Sequence, residues 1–459
     1  MDKFNKTYIF GISLVSAMGG LLFGYDWVVI GGAKPFYERF FDIASSPNFQ
    51  AWAMSCALIG CVIGAVISGV VSDKFGRKWP LLLSAFLFSI ASLGTGMASG
   101  YIMFVIFRMI GGVGIGLASA LSPMYIAEVA PSHLRGRFVS LNQMTIVIGI
   151  LAAQVINLLI AHKVPVGATD EFIRASWNGQ IGWRWMFYAC AVPAGVFFIL
   201  TFFLPESPRW LIKAGKSELA YPTLKRIGGE EFAHSEMANI KASLDDVSEK
   251  VDFKAILNKK YRPILIIGIV LAVFQQWCGI NTVFNYAEEI FTAAGYGVSD
   301  TLFNIVITGS VNLVFTLIAM FTVDKWGRKK LMLFGSVGLG VTYILLGSAF
   351  YFQLKGIAVL SLVVIAIGIY AMSLAPIVWV ILSEIFPNRI RGAAMALSTF
   401  ALWIACFILT FTFPLLNKGL GAAGTFWVYA GICILGFLFV LRKLPETKGK
   451  SLEEIEKMI

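Results

Sequence analysis

Two ionisable side chains lie inside long apolar stretches of the sequence. Asp26 belongs to the apolar run 8–32, and Arg108 belongs to the run 102–126. Charges at such depth in a membrane are costly, so we expect the two to pair or to line a water-filled cavity. Burial favours a protonated acid, whereas an arginine neighbour favours the carboxylate, so a contact that changes with conformation would change proton affinity. The pair is a candidate proton site, and the alternative is an ion pair that only fixes helix contacts.

A second group consists of carboxamides on two neighbouring apolar runs: Gln275, Gln276, Asn281, Asn285 and Asn312. Gln276, Asn281 and Asn285 are separated by five and four positions, which places them near one face of a continuous helix. Amides both donate and accept hydrogen bonds, as sugar hydroxyls require. The alternative is that they join helices to one another within the membrane.

Further polar edges and flat apolar faces occur on other runs. Asn142 and Gln143 lie near the start of 138–161, while Trp379 and Trp403 lie in later runs. Amides opposite aromatic faces suit a neutral, hydroxylated ring. The sequence therefore predicts a binding site for such a ring.

A third group of charges lies at the short connections between apolar runs. Gly76 and Gly327 permit tight bends there. Salt-bridge networks at these turns would form a gate that closes and breaks with conformation, whereas ordinary surface pairs would contribute little. The gate candidates are Asp73, Arg77, Glu128, Arg135, Glu206 and Arg209, followed by Asp324, Arg328, Glu384, Arg391 and Glu446.

These motifs occur twice. Asp73–Lys78 reads DKFGRK and Asp324–Lys329 reads DKWGRK; Glu128 with Arg135 returns as Glu384 with Arg391. A large membrane-embedded unit written twice is typical of carriers in which one half rocks against the other. The duplication predicts transport by alternating access.

The composition is that of a membrane protein. Hydrophobic residues make up 58% of the chain, charged residues 14%, and the mean hydropathy is +0.78. Runs of about 20 apolar residues are long enough to cross a bilayer, and we predict twelve of them, at 8–32, 50–72, 79–98, 102–126, 138–161, 183–204, 263–287, 302–323, 331–352, 357–382, 393–416 and 423–441. The fold class expected is an all-α membrane protein with two pseudo-symmetric six-helix halves.

The expected organisation follows from these runs. Two six-helix halves, 1–204 and 263–442, flank a short cytoplasmic helical linker, 205–262, and a cytoplasmic tail, 443–459. Gly60 and Gly64 form a GxxxG pattern that predicts close helix packing.

The charge distribution excludes a nucleic-acid role. The net charge is +11, but most of the 37 Lys and Arg residues fall on one side of the predicted spans. This positive-inside bias predicts both termini in the cytoplasm. The six cysteines lie inside spans without disulfide or metal spacing. The sequence contains no Walker A motif, so we expect a gradient to be the driving force instead of ATP.

Together these motifs resemble the sugar porter family of the major facilitator superfamily over nearly the whole chain. The resemblance is carried by the paired DKxGRK motifs, Pro205–Arg209 (PESPR), Gln275–Asn281 (QQxxGIN) and Pro445–Gly449 (PETKG). It implies a proton-coupling pair, Asp26 and Arg108. It also implies sugar contacts from Gln143, Gln275, Gln276, Asn281, Asn312 and Trp379, with Phe23 and Trp403 flanking them.

Three positions depart from the pattern of the family's bacterial xylose-transporting members. Those members resemble this chain best, but they have a tyrosine where Asn285 stands, a glutamine where Leu402 stands and a glycine where Ala375 stands. An amide lost at one position and gained at another changes which sugar hydroxyl the site can hydrogen-bond. The expected sugar is therefore D-xylose or a related pentose or hexose such as glucose, arabinose or galactose.

The function expected is proton-coupled symport of a monosaccharide, without a cofactor, a metal or enzymatic activity. A facilitative uniporter is the alternative, in which the Asp26–Arg108 pair is only structural. A membrane sugar sensor is disfavoured by the short tail, and a drug–proton antiporter by the amide-rich spans. Short loops favour a bacterial inner-membrane protein. We expect it to act as a monomer in the lipid bilayer.

Overall fold

The computed structural model describes residues 4–131, 134–246, 258–387 and 390–446. The described residues form helices joined by short turns. The helices are, in chain order, α1 (Lys6–Phe40), α2 (Pro47–Phe75), α3 (Lys78–Met97), α4 (Tyr101–Val129), α5 (Arg135–Ile160), α6 (Asp170–Ala175), a π-helical turn (Asn178–Gly182), α7 (Trp183–Thr201), α8 (Pro208–Lys213), α9 (Ser217–Asp246), α10 (Arg262–Trp277), α11 (Ile280–Asn285), α12 (Ala287–Ala293), α13 (Val298–Trp326), α14 (Arg328–Tyr351), α15 (Ile357–Met372), α16 (Leu374–Ile385) and α17 (Arg391–Lys443).

The twelve predicted spans are confirmed. Eleven segments of the described chain are long and apolar enough to cross a membrane. The last of them, Ala393–Lys443, contains Gly421 at φ 67° and ψ 174°, which interrupts the helix between the predicted spans 393–416 and 423–441. Helices suit this environment because each backbone N–H and C=O is satisfied within its own segment.

Two of the predicted spans, 263–287 and 357–382, each contain a break in the helix. α10 ends at Trp277, and α11 starts after Gly279, whose φ of 89° is left-handed and favours glycine. α15 and α16 are separated at Ser373. The spacing predicted that Gln276, Asn281 and Asn285 share one helical face. Because of the break, Gln276 does not lie on one regular face with the other two.

The chain divides into two compact units. The first comprises Met1–Asp26, Ile59–Gly149 and Phe187–Lys250; the second comprises Trp27–Leu58, Ile150–Met186 and Val251–Ile459. This division differs from the predicted halves, because the second unit includes two segments of the first half. The predicted domain boundaries remain a prediction.

Glycines allow α2 and α4 to pack closely in the first unit. A Cβ atom added to Gly60 would lie 2.2 Å from the backbone oxygen of Met109, and one added to Gly64 would lie 2.3 Å from that of Val113. These helices therefore touch through their backbones, as the GxxxG pattern predicted.

The polar linker is helical over its described part. α9 bends at Gly229, which has a φ of 87°. Apolar residues of α9, including Leu224 and Ile227, pack with Ile9 of α1, and the N–H of Asn5 donates to the carbonyl of Ile227 at 2.8 Å. Residues 247–257 and 447–459, which complete the predicted linker and tail, lie outside the described residues.

Candidate functional site

Asp26 and Arg108 form a buried ion pair in the first unit. Arg108 Nη1 donates to Asp26 Oδ1 at 2.6 Å, and the two side chains are 4% and 10% exposed for Arg108 and Asp26, respectively. The guanidinium lies 5.7 Å from the ring centroid of Phe187. The predicted pairing of Asp26 with Arg108 is therefore present.

The two carboxylate oxygens of Asp26 differ in their hydrogen-bond partners. Oδ2 is buried and has no hydrogen-bond partner among the described residues. A buried carboxylate oxygen without a donor is costly when charged. One carboxylate oxygen of Asp26 is thus held by arginine, and the other has no donor among the described residues.

In the second unit, the break after α10 brings carboxamides together. Asn281 Nδ2 donates to Gln276 Oε1, and Gln275 Nε2 donates to the carbonyls of Leu374 and Ala375 at 3.2 and 3.1 Å. Gln275 is thereby fixed against the break between α15 and α16. Gln276 and Asn281 thus meet because the helix is broken between them, and not through the regular spacing that was predicted.

Several of these amides keep unused hydrogen-bonding capacity. Gln275 Oε1 and Asn285 Oδ1 are buried and have no hydrogen-bond partner among the described residues. Asn312 is buried at 6% exposure. Buried amide groups are normally satisfied, so these atoms are available to a polar ligand.

The other residues predicted to contact the ligand differ in their burial. Phe23 and Gln143 are half-buried in the first unit. In the second unit, Trp403 is buried and its ring lies 6.4 Å from that of Trp27, while Trp379 is 40% exposed. Trp27, which the sequence analysis did not single out, thus adds a second indole beside Trp403.

A charged network joins three helical turns in the first unit. Arg77 donates to both oxygens of Glu128, with Nε–Oε2 at 2.9 Å and Nη2–Oε1 at 2.8 Å. Glu206 accepts from the backbone N–H of Arg77 at 2.8 Å, and Ser207 Oγ donates to Glu128. A bidentate, largely buried pair of this kind is stronger than a solvated one.

The second unit contains the repeat of that network. Arg328 Nη2 donates to Glu384 Oε1 at 2.9 Å, and its backbone N–H donates to Glu446 at 2.9 Å. A Cβ atom at Gly327 would lie 2.8 Å from Glu446 Oε2, as one at Gly76 would lie 2.2 Å from Glu206 Oε2. The glycine in each DKxGRK copy therefore makes room for a carboxylate.

Three of the remaining gate candidates, whose side chains the structure describes, make none of the contacts of these networks. Asp73 makes an exposed 3.0 Å ion pair with Lys213. Arg135 and Arg209 are exposed, and neither forms an ion pair with another described residue. The side chains of Asp324 and Arg391 lie outside the described part of the structure.

Two buried polar features were missed from the sequence. Lys34 is 1% exposed, because α1 continues to Phe40 instead of ending near residue 32, and it contacts three glutamates. Gln154 is 2% exposed, and its amide has no hydrogen-bond partner among the described residues. Gly309 leaves space for it, since a Cβ there would lie 1.7 Å from Gln154 Oε1. For Lys34, the one signal available in the sequence was its spacing of four residues from Glu38.

This chain is similar to known transport proteins over nearly its whole length. The chain is 40% identical to the D-xylose-proton symporter of Escherichia coli (strain K12), covering 99% of this chain and 96% of that protein. It is 40% identical to the arabinose-proton symporter of Bacillus subtilis (strain 168), covering 98% and 95%. An inward-open structure of the E. coli xylose transporter XylE matches with a TM-score of 0.85 at 39% identity, covering 98% of this chain and all of that one.

The family expected from the motifs is thereby confirmed, and with it the major facilitator fold and a transporter instead of an enzyme. Residues 12–459 match the family model described as sugar (and other) transporter. The chain belongs to this sugar transporter family.

Proposed function

We propose that this protein is a proton-coupled monosaccharide symporter. The observation that carries the coupling is the buried Asp26–Arg108 pair, in which one carboxylate oxygen is held at 2.6 Å and the other has no hydrogen-bond partner among the described residues. A pair of this kind can release its arginine when Asp26 is protonated, so protonation and conformation depend on each other.

The substrate is a monosaccharide, D-xylose or a related pentose or hexose. Gln275, Gln276, Asn281, Asn285 and Asn312 supply donors and acceptors for hydroxyls, and Trp379 and Trp403 supply apolar faces. Phe23 and Gln143 are further sugar contacts in this proposal. Two relatives of this chain are named for xylose and for arabinose, which supports a pentose.

Alternating access then uses the repeated charge networks. Arg77 with Glu128 and Arg328 with Glu384 form when the cytoplasmic side closes and separate when it opens. In this proposal both termini and the linker are cytoplasmic, the protein lies in a bacterial inner membrane, and one chain suffices for transport. The Phe40 end of α1 therefore faces the outside.

The uniporter is the second candidate, because a buried carboxylate–guanidinium contact also serves as a purely structural link. The two are separated by reconstituting the purified protein into proteoliposomes and imposing a pH gradient, with labelled xylose, arabinose, glucose and galactose offered in turn. Symport predicts accumulation above equilibrium of at least one sugar, abolished by a protonophore. Downhill flux alone, at every gradient, would instead identify a uniporter.

A further inference from the structure

Lys34 occupies the centre of a buried ion cluster in the second unit, here called the Lys34 cluster. Its Nζ lies 3.0 Å from Glu38 Oε1, 3.6 Å from Glu288 Oε2 and 2.5 Å from Glu289 Oε1. Glu38 follows Lys34 by one turn on α1, whereas the other two carboxylates belong to α12. The cluster therefore fastens the Phe40 end of α1 to α12.

The charges of the cluster do not balance. One ammonium contacts three carboxylates, and the side chains of Lys34, Glu38, Glu288 and Glu289 are 2%, 4%, 12% and 22% exposed. Like charges in a poorly solvated site disfavour each other's ionisation. The fully ionised cluster is therefore the costly form, and one added proton relieves it.

A specific atom is available for that proton. Glu289 Oε2 is buried and has no hydrogen-bond partner among the described residues, whereas Oε1 of the same side chain contacts Lys34. Burial, opposed by Lys34 and assisted by the neighbouring carboxylates, raises the pKa of Glu289 to about 8. Glu289 lies beyond Asn285, where the seventh membrane-spanning segment ends.

Other groups face the cluster without neutralising it. Gln50 Nε2, from the first turn of α2, donates to Glu38 Oε2 at 3.3 Å. The Tyr286 ring centroid lies 5.9 Å from Lys34 Nζ, and its hydroxyl donates to Thr410. Tyr37 donates to Met54 Sδ, and Arg39 is held by Asp170 at 2.7 Å. Among the described residues, Lys34 is therefore the cation that contacts all three carboxylates, while Arg39 adds a weaker electrostatic attraction to Glu38.

We propose that the Lys34 cluster is a second proton-binding site and acts as a latch: three carboxylates share one ammonium and one proton while α1 and α12 are in contact. Separation of the two helices hydrates the carboxylates and releases the proton on the side of Phe40. The site is distinct from the Asp26–Arg108 pair, which belongs to the first unit.

The sign of the pH dependence follows from linkage. A carboxyl group with a higher pKa in the closed contact than in the hydrated state stabilises the closed contact when it is protonated. This stabilisation of the closed contact is complete below the ordinary carboxyl pKa. It is lost as the pH rises through about 8, the raised pKa of Glu289. Acid outside therefore holds the latch shut, and alkaline pH opens it.

Spin labels on Asp42→Cys and Thr292→Cys would measure the separation of α1 and α12 in lipid nanodiscs between pH 5 and pH 9. The six native cysteines are buried, so the two introduced ones are labelled selectively. Wild type should give a short distance at low pH and a growing long-distance population at high pH.

Two substitutions should act in opposite directions. Glu289→Gln mimics the protonated acid and should keep the short distance to higher pH, by roughly one pH unit or more. Lys34→Met leaves three carboxylates unpaired and should give the long distance even at low pH. Lys163→Met, at an exposed lysine on the same side, should behave as wild type.

If the cluster is an ordinary salt bridge, both Glu289→Gln and Lys34→Met should lengthen the distance between the labels on α1 and α12, and that outcome would overturn the proposal. A wild-type distance that does not change with pH would overturn it as well. Should Lys34→Met fail to elute as a single species, Glu288→Gln provides the second test and should shift opening in the same direction as Glu289→Gln. The measurement needs no transported sugar, so its failure is distinguishable from failure of the proposed function.

Discussion

Arg108 Nη1 lies 2.6 Å from Asp26 Oδ1, and both side chains are almost fully buried. A buried pair is costly to form, yet removal of one partner leaves the other charge uncompensated. The stability of this protein should therefore depend strongly on which member of the pair is removed, and on whether the other is removed with it.

Arg108→Ala should destabilise the protein by about 3–5 kcal/mol, because Asp26 loses its only ion-pair partner among the described residues. Asp26→Asn combined with Arg108→Gln should recover much of that loss, since no buried charge remains. Thermal unfolding in detergent would measure both. Arg39→Ala is the control, because its partner Asp170 is 71% exposed and its loss should cost less than about 1 kcal/mol. Equal costs for the two single variants would contradict the assignment.

The amides of α10 and α11 should determine sugar affinity. Gln275→Ala and Asn281→Ala each remove a hydrogen-bonding group, at about 0.5–1.5 kcal/mol per bond, which corresponds to roughly two- to tenfold weaker binding. Titration calorimetry with the transported sugar would measure this change. Gln180→Ala, at an exposed amide, should bind as wild type. Unchanged affinity in both site variants would remove these residues from the binding site.

The two arginines of the repeated networks should have matching effects. Arg77→Ala and Arg328→Ala each remove a carboxylate contact near 2.9 Å, which should raise the population that is open towards the cytoplasm. Spin labels on Lys74→Cys and Lys325→Cys, equivalent positions of the two repeats, would report longer distances. Lys216→Ala, at an exposed lysine, should leave the distances unchanged. If Arg77→Ala and Arg328→Ala also leave these distances unchanged, the networks have no role in gating.

Two glycines of α2 provide a matched pair for helix packing. Gly60→Ala should destabilise by about 1–3 kcal/mol, because the new Cβ would meet the backbone oxygen of Met109 at 2.2 Å. Gly69→Ala should be neutral or slightly stabilising, since nothing lies within 4 Å of its Cβ position and alanine favours helix. Chemical denaturation of both variants would compare them, and equal stabilities would refute the close approach of α2 and α4.

The membrane spans were predictable because length and hydropathy directly reflect the thickness of the bilayer. The helix breaks were not. A left-handed glycine at Gly279 reads in the sequence like any packing glycine, and Ser373 carries no breaking signal of its own. The hydrogen bond between Gln276 and Asn281 depends on the first of these breaks, so helical spacing could not predict it.

Buried charge pairing was only partly predictable. Asp26 and Arg108 stand out because each interrupts an apolar run. Lys34 lies just beyond the predicted apolar run 8–32, and its partners Glu288 and Glu289 are remote in sequence. Such pairing depends on tertiary contacts, which a local pattern does not contain.

Asp26→Asn tests the proton-coupling mechanism most directly. It removes the titratable group and keeps similar size and polarity. One proton moving through 100 mV supplies about 2.3 kcal/mol, enough for a sugar gradient of roughly fifty-fold. In proteoliposomes with an imposed proton gradient, wild type and the exposed-site control Asp170→Asn should accumulate the sugar, whereas Asp26→Asn should equilibrate it, still bind it and still exchange it in counterflow. Accumulation by Asp26→Asn above equilibrium would contradict the account and place proton coupling at another residue.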